Sequence, residues 1–330
     1  LTTITIAAVG DLLMKSEIID SAKQSGGYMF DPIFEKVKPY LKKHDITIGN
    51  LETTFSGNRQ LGMIKNPPKC NCPRERRHSK TGYPVFNCPD ELASTLKSSG
   101  FDVLTTANNH CMDGGVAGLM RTLKVLDQHD LQHTGTFRSV KESNQYLILP
   151  VKGMKIGILS YTSGTNSIPV PKPWLVNRIN LKKMIADIRE LKNKTDFIIV
   201  YLHFGQEYRT YPNKYEKQLM QLLFKQGVNV ILGAHPHVLH PVTMTKVKDI
   251  YGFVRNRVAA SSLGNFVSTR LRGDTKTIQG MILSLTLTKN AQGTIDISKV
   301  KRIPTIVRQI KSPKTVFRIV PKYENLNRFK

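Results

Sequence analysis

Val228-Asn229-Val230-Ile231-Leu232-Gly233-Ala234 is an apolar, β-branched run of strand length that delivers His235-Pro236-His237. Proline cannot donate to a sheet ladder, so the strand stops there and leaves two imidazoles, one residue apart, at its carboxyl end. In an open α/β sheet that edge is where ligands bind, and neutral imidazole is a common ligand for divalent metals. A single His-x-His pair is weak evidence for a site. What matters is whether other strands end the same way.

Four do. Thr2 to Val9 ends in Gly10-Asp11, and Asp45 to Ile48 ends in Gly49-Asn50-Leu51-Glu52. Phe101 to Ala107 runs into Asn108-Asn109-His110, and Asp196 to Leu202 into His203-Phe204-Gly205-Gln206-Glu207-Tyr208. Helical periodicity begins near Glu17 and spans Ile33 to Lys43, Pro89 to Ser99, Val116 to Gln128, Ile179 to Asn193 and Asn213 to Gln226. Gln145 to Val151 and Met154 to Tyr161 flank Lys152-Gly153 as a hairpin. Further strands are expected at Pro241 to Phe253, Arg257 to Ser262, Thr277 to Leu287 and Gly293 to Ile303.

Taken singly, each polar set has an ordinary explanation. Asp11 suits a helix N-cap, Glu52 a solvated loop charge, Asn109 a turn, and His203 a buried, satisfied histidine. Strands joined by helices through right-handed crossovers, however, place their carboxyl ends on one side of the sheet. The five sets then converge into imidazoles, two carboxylates and an amide oxygen, a donor set for one or two Mn²⁺, Fe²⁺ or Zn²⁺ ions.

The chain has 330 residues, 40% of them hydrophobic, enough for one large domain or a main domain with an appendage. The expected division is a main domain at 1–288 and a basic extension at 289–330. From Lys299 onward there are ten Lys/Arg, one Glu and three prolines, which read as a partly extended, partly mobile tail. Lys and Arg total 49 against 24 Asp and Glu, a net charge of +25. A field of that size favours a polyanionic partner. No zinc-finger, RNP or basic-zipper pattern accompanies it, so nucleic acid is not expected. Between Phe55 and Phe86 the periodicity breaks down into a long loop, a binding or lid element in which Lys65, Lys69, Arg74, Arg76, Arg77 and Lys80 are the expected polyanion contacts. No run reaches the ~18 apolar residues that cross a bilayer. The chain enters a strand pattern at Leu1 without methionine, so an upstream leader, anchor or tag is expected. Of the four cysteines, Cys70 or Cys72 pairs with Cys88 if the protein is exported; otherwise these and Cys111 are free thiols.

Six segments in order resemble the signature of the CapA (PgsA) family of bacterial poly-γ-glutamate capsule biosynthesis proteins. They are Val9-Gly10-Asp11, Gly49 to Glu52, Ala107 to His110, His203 to Tyr208, Gly233 to Val238 and Ser262-Leu263-Gly264-Asn265-Phe266. The resemblance implies a four-layer α/β/β/α sandwich similar to calcineurin-like metallophosphoesterases. It also implies a place on the extracellular face of the membrane, held by an N-terminal anchor, with poly-γ-glutamate or another anionic polymer and the capsule synthase membrane components as partners. Carried over by motif, Asp11, Asn109, His203, His235 and His237 become metal ligands, with Glu52 expected to join them. Asp11 and His110 become catalytic, and Asn50, Asn108, Glu207 and Asn265 substrate-binding.

Two positions depart from the phosphoesterase pattern. Leu13 stands where the first motif has histidine, and Asn50 with Glu52 replaces the metal-bridging aspartate. Either Glu52 substitutes, or one ion binds, or the site is vestigial. Three functions follow: metal-dependent hydrolysis or transfer in making, exporting or attaching the polymer; a non-enzymatic assembly protein that holds it; and, lower, a metallophosphatase acting on phosphoesters.

Overall fold

In a computed structural model, residues 1–58, 80–311 and 313–322 are described. The first part of the chain supplies β1 (Thr2–Leu12), α1 (Ser16–Ala22), β2 (Lys23–Gln24), β3 (Gly27–Tyr28), α2 (Asp31–Phe34), α3 (Lys38–Lys42), β4 (Ile46–Asn50), α4 (Glu91–Ser99), β5 (Val103–Thr105), α5 (Gly115–Gln128) and β6 (Gln132–Thr134). The second supplies α6 (Val140–Ser143), β7 (Leu147–Val151), β8 (Met154–Thr162), α7 (Leu181–Lys192), β9 (Phe197–His203), α8 (Lys214–Lys225), β10 (Val230–Ala234), β11 (Val242–Lys248) and β12 (Val254–Ala260). The chain then returns to the first sheet with β13 (Asn265–Val267), β14 (Gln279–Lys289), β15 (Ile295–Lys311) and β16 (Thr315–Pro321).

One sheet runs β16-β15-β14-β1-β4-β5-β6, with β13 beside the end of β1; the other runs β11-β12-β10-β9-β8-β7. β1, β4, β5 and β6 are parallel, as are β8, β9, β10 and β12. Period-two alternation explains the layering. Ile4, Ile6 and Ala8 join Ile199, Tyr201, Val230 and Leu232 in the core between the sheets. Ala7 and Val9, on the other face of β1, pack under the helices of the first part. Ile198, Val200 and Leu202 pack under α7 and α8. The result is the four-layer α/β/β/α sandwich.

Two expectations need correction. The helix expected over Ile33 to Lys43 is two short helices, α2 and α3, each with proline in its first turn. Pro39 has no N–H to continue the earlier helix, so a new one starts around it. The described part of the tail, expected to be partly extended and partly mobile, forms a hairpin. β15 pairs with β14 and β16 with β15, so residue 288 lies inside the sheet rather than at an edge between units. Ile303, Val307, Phe317 and Ile319 alternate into the core, a period hidden by the intervening basic residues.

Lys65, Lys69, Arg74, Arg76, Arg77, Cys70 and Cys72 lie outside the described residues. Lys80 is exposed, and Cys88 and Cys111 are buried free thiols.

Candidate metal centre

The strand ends converge. β1 brings Asp11, β4 brings Asn50, and the turn after it brings Glu52. The turn after β5 brings Asn108, Asn109 and His110; β9 ends in His203, and β10 is followed at once by His235 and His237. Two glycines make the approach possible. A Cβ on Gly10 would sit 1.9 Å from the Gly264 carbonyl oxygen, and one on Gly233 would sit 2.1 Å from that of Ser261. No larger residue lets these backbones touch.

Asp11 and Glu52 are fully buried. Glu52 Oε1 lies 3.7 Å from His203 Nε2 and 4.0 Å from His110 Nε2, and Oε2 lies 3.9 Å from His237 Nδ1. Neither Glu52 oxygen has a hydrogen-bond partner, and nor does His235 Nδ1. Ligand atoms fall within 4.8 Å of one another in three sets: Glu52, His203 and His235; Asp11, Glu52 and His237; and Glu207, His235 and His237. His235 and His237 both hold positive φ, 100° and 59°. Such strain in non-glycine residues concentrates at functional sites. Here it lets the His235 N–H donate to Asp11 Oδ2 at 3.2 Å.

The electrostatics split the two carboxylates. Burial, then the neighbouring charge of Asp11, pushes Glu52 well above the usual carboxylate range. Burial alone would raise Asp11 too, but the hydrogen bond from His237, the charges of His203 and His237, and the Asn50 amide outweigh it and hold Asp11 low. Burial and the adjacent His235 push His203 well below the usual imidazole range. Burial and His237 bring His235 down to about 4. A cation among these groups would reverse the cost of ionised Glu52 and favour neutral imidazoles, so the residues present fit a divalent metal.

The asparagines are placed differently from the expectation that they bind substrate. Asn50 Nδ2 donates to Asp11 Oδ1 at 2.7 Å and to His203 Nδ1 at 3.1 Å, while its Oδ1 faces Thr105 Oγ1 at 3.1 Å. Where the phosphoesterase pattern has an aspartate, this chain has a hydrogen-bond donor. Asn108 braces the turn, donating to the Leu51 carbonyl at 2.8 Å and accepting the His110 N–H at 3.1 Å. Asn265 is fully buried; its oxygen lies 3.0 Å from His237 Nδ1 and its amide donates to the Thr277 carbonyl at 2.7 Å. Every side-chain polar atom of these three is engaged inside the protein, where it orients another group. Glu207, also read as substrate-binding, has its carboxylate among the ligand atoms with His235 and His237. Asn109 accepts from His203 Nε2 at 2.9 Å.

The sequence reading missed Asp113, which lies 2.7 Å from His110 Nδ1 and accepts the Phe86 N–H at 2.7 Å. The Phe86 ring meets the imidazole edge-on at 4.5 Å. The three-residue spacing of His110 and Asp113 was the available signal, obscured because Asp113-Gly114-Gly115 also reads as a plain turn.

The two sheets with helices outside and a cluster of histidines and carboxylates at the strand ends define a protein of the calcineurin-like phosphoesterase fold. Solved structures share it: the NAD nucleotidase of Haemophilus influenzae, 14% identical, TM-score 0.53, covering 96% of this chain and 59% of that one; and the calcineurin-like phosphoesterase YfkN of Bacillus subtilis, 16% identical, TM-score 0.50, covering 92% and 90%. Within that fold, the chain belongs to the family of the bacterial capsule synthesis protein PGA_cap, whose model matches residues 5–270. It is 29% identical over 295 residues to the PGA biosynthesis protein CapA of Bacillus subtilis and 27% identical over 300 residues to the capsule biosynthesis protein CapA of Bacillus anthracis. It covers 70% and 66% of those relatives' lengths, about two thirds, while 88% and 89% of this chain is aligned.

Proposed function

We propose that this chain acts in poly-γ-glutamate capsule biosynthesis as a metal-dependent hydrolase or transferase on the polymer's amide or ester links. The observation that carries this reading is Glu52: a fully buried carboxylate with both oxygens unpartnered, within 4.0 Å of nitrogens from three histidines. A buried, unpaired carboxylate is costly unless a cation joins it. His203, His235, His237, Asp11 and Glu52 would hold the ion, with Asn109 and Glu207 beside them. When bound, a divalent cation supplies Lewis-acid polarisation of the scissile group.

The chain's own residues do the rest. Asn50 holds Asp11 and His203 in register from one amide. Asp113 fixes the His110 ring through Nδ1, leaving Nε2 toward Glu52 to carry a proton to the leaving group. Phe86 packs against the imidazole, with ring centroids 4.5 Å apart. The extracellular face and the capsule synthase membrane components are the place and partners this reading assigns. Among the described residues no helix is long and apolar enough to cross a membrane.

A non-enzymatic assembly protein is the second reading, favoured by Asn50, whose amide donates to Asp11 at the position where the phosphoesterase pattern has an aspartate. Elemental analysis of protein purified without chelator, and polymer chain length after incubation, separate the possibilities. The His235→Ala/His237→Ala variant is expected to lose bound metal and chain shortening together. Unchanged metal stoichiometry overturns the site assignment, and metal without any change in the polymer overturns the enzymatic reading.

A further inference from the structure

The C-terminal hairpin lies beyond the region shared with the family model and holds two arginines that neither the metal centre nor the core uses. Arg308 on β15 and Arg318 on β16 are directly opposite in the antiparallel register. Side chains so placed share one face, with Cβ atoms about 5 Å apart, and like charges there repel. The Nε of each is buried without a hydrogen-bond partner. Arg318 reaches Glu35 at 3.2 Å through Nη1, a contact on a largely exposed carboxylate. Arg308 has no acidic partner among the described residues. A charge placed only to blunt an edge strand would sit in water. Here the Nε of each is buried and unpartnered on one shared face, an arrangement that an oxyanion accepting from both would complete.

The hairpin's position gives the pair a use. β14 runs antiparallel to β1, so its start lies at the end of the sheet where β1 delivers Asp11. Gln279 at that start is opposite Ile306, two residues before Arg308. The arginines therefore sit at the same end of the sheet as the metal centre, two and three strands away, roughly 10 and 14 Å across it.

We propose that Arg308 and Arg318 form an oxyanion subsite that grips a carboxylate of an anionic chain whose other part lies at the metal centre. The choice of a carboxylate over a phosphate rests on the capsule-polymer reading above; the pairing of the arginines does not. The test uses the full chain with poly-γ-glutamate and, separately, polyphosphate, measured by calorimetry over a range of salt. Arg308→Gln/Arg318→Gln is expected to weaken poly-γ-glutamate binding about tenfold. The slope of log K against log salt should flatten by roughly 1.4 for two lost contacts, by analogy with single-stranded polyanions. Metal content should not change, which keeps this result separate from any failure of the metal centre. Arg308→Lys/Arg318→Lys keeps the charge but not the paired donors; it should retain the salt slope while losing part of the affinity, and it serves if the neutral pair fails to fold. Unaltered affinity and slope in the glutamine variant overturn the subsite, and binding of polyphosphate without poly-γ-glutamate overturns the carboxylate assignment.

Discussion

Replacing Glu52 by glutamine should change the protein in opposite directions with and without metal. In the metal-free state the glutamate oxygens are buried, unpartnered and close to the ionised Asp11. Glutamine of the same size removes that burden, so metal-free Glu52→Gln is expected to melt no lower than the parent. With metal the parent gains about 2.7 kcal/mol when the free ion stands at 100 times its dissociation constant. An unfolding entropy of about 2.1 cal/mol/K per residue gives about 0.7 kcal/mol/K for 330 residues, so the parent's Tm should rise by about 4 °C. The variant, lacking the carboxylate shared by two of the three ligand sets, should rise by less than half as much. Calorimetric scans with chelator and with added Mn²⁺ or Zn²⁺ measure both shifts. A metal-free variant several degrees less stable, with the metal-induced rise intact, would mean that Glu52 is an ordinary structural carboxylate and would refute the reasoning.

Asp113→Asn should leave bound metal unchanged, since Asp113 belongs to none of the three ligand sets and bonds to His110 and the Phe86 N–H. If His110 carries the proton, polymer cleavage should fall by roughly 10²- to 10⁴-fold, read as chain length against time. Asp127 and Glu142 both sit below the usual carboxylate range. Burial opposes this shift, but Arg138 outweighs it at both, helped at Asp127 by the hydrogen bond from His133. Groups with depressed folded values contribute stability above their unfolded pKa of about 4 and lose it as pH falls through the folded values. Arg138→Gln should therefore be less stable than the parent at pH 6 to 7, by under about 1 kcal/mol because the groups are partly exposed. The difference should close by about pH 2 in urea unfolding; a gap that persists there contradicts the assignment.

Much of the fold was legible because strand periods, glycine stops and connecting helices are local signals. The positions of Asp11, His203, His235 and His237 followed from where strands end, and chain connectivity sends those ends to one side. Side-chain roles were less legible. Asn265 and Asn108 look identical to ligand-facing amides in sequence, and only the register that puts Thr277 and Leu51 beside them shows that their polar atoms are spent.

The sequence by itself determined the strands, where each ends and the donor types at those ends, since these depend on residues adjacent in the chain, while the four layers were implied by the family resemblance. Only the tertiary structure decided that Glu52 is the unpartnered carboxylate, that Asn50 turns its amide to Asp11, and that the basic tail closes onto β14 as a hairpin. The Asn50 contacts join residues 39 and 153 positions apart, and the pairing of the tail with β14 reaches from Lys289↔Ile295 to Gln279↔Ile306. Local pattern carries no record of such contacts, because burial and hydrogen bonding are settled only when the two sheets meet.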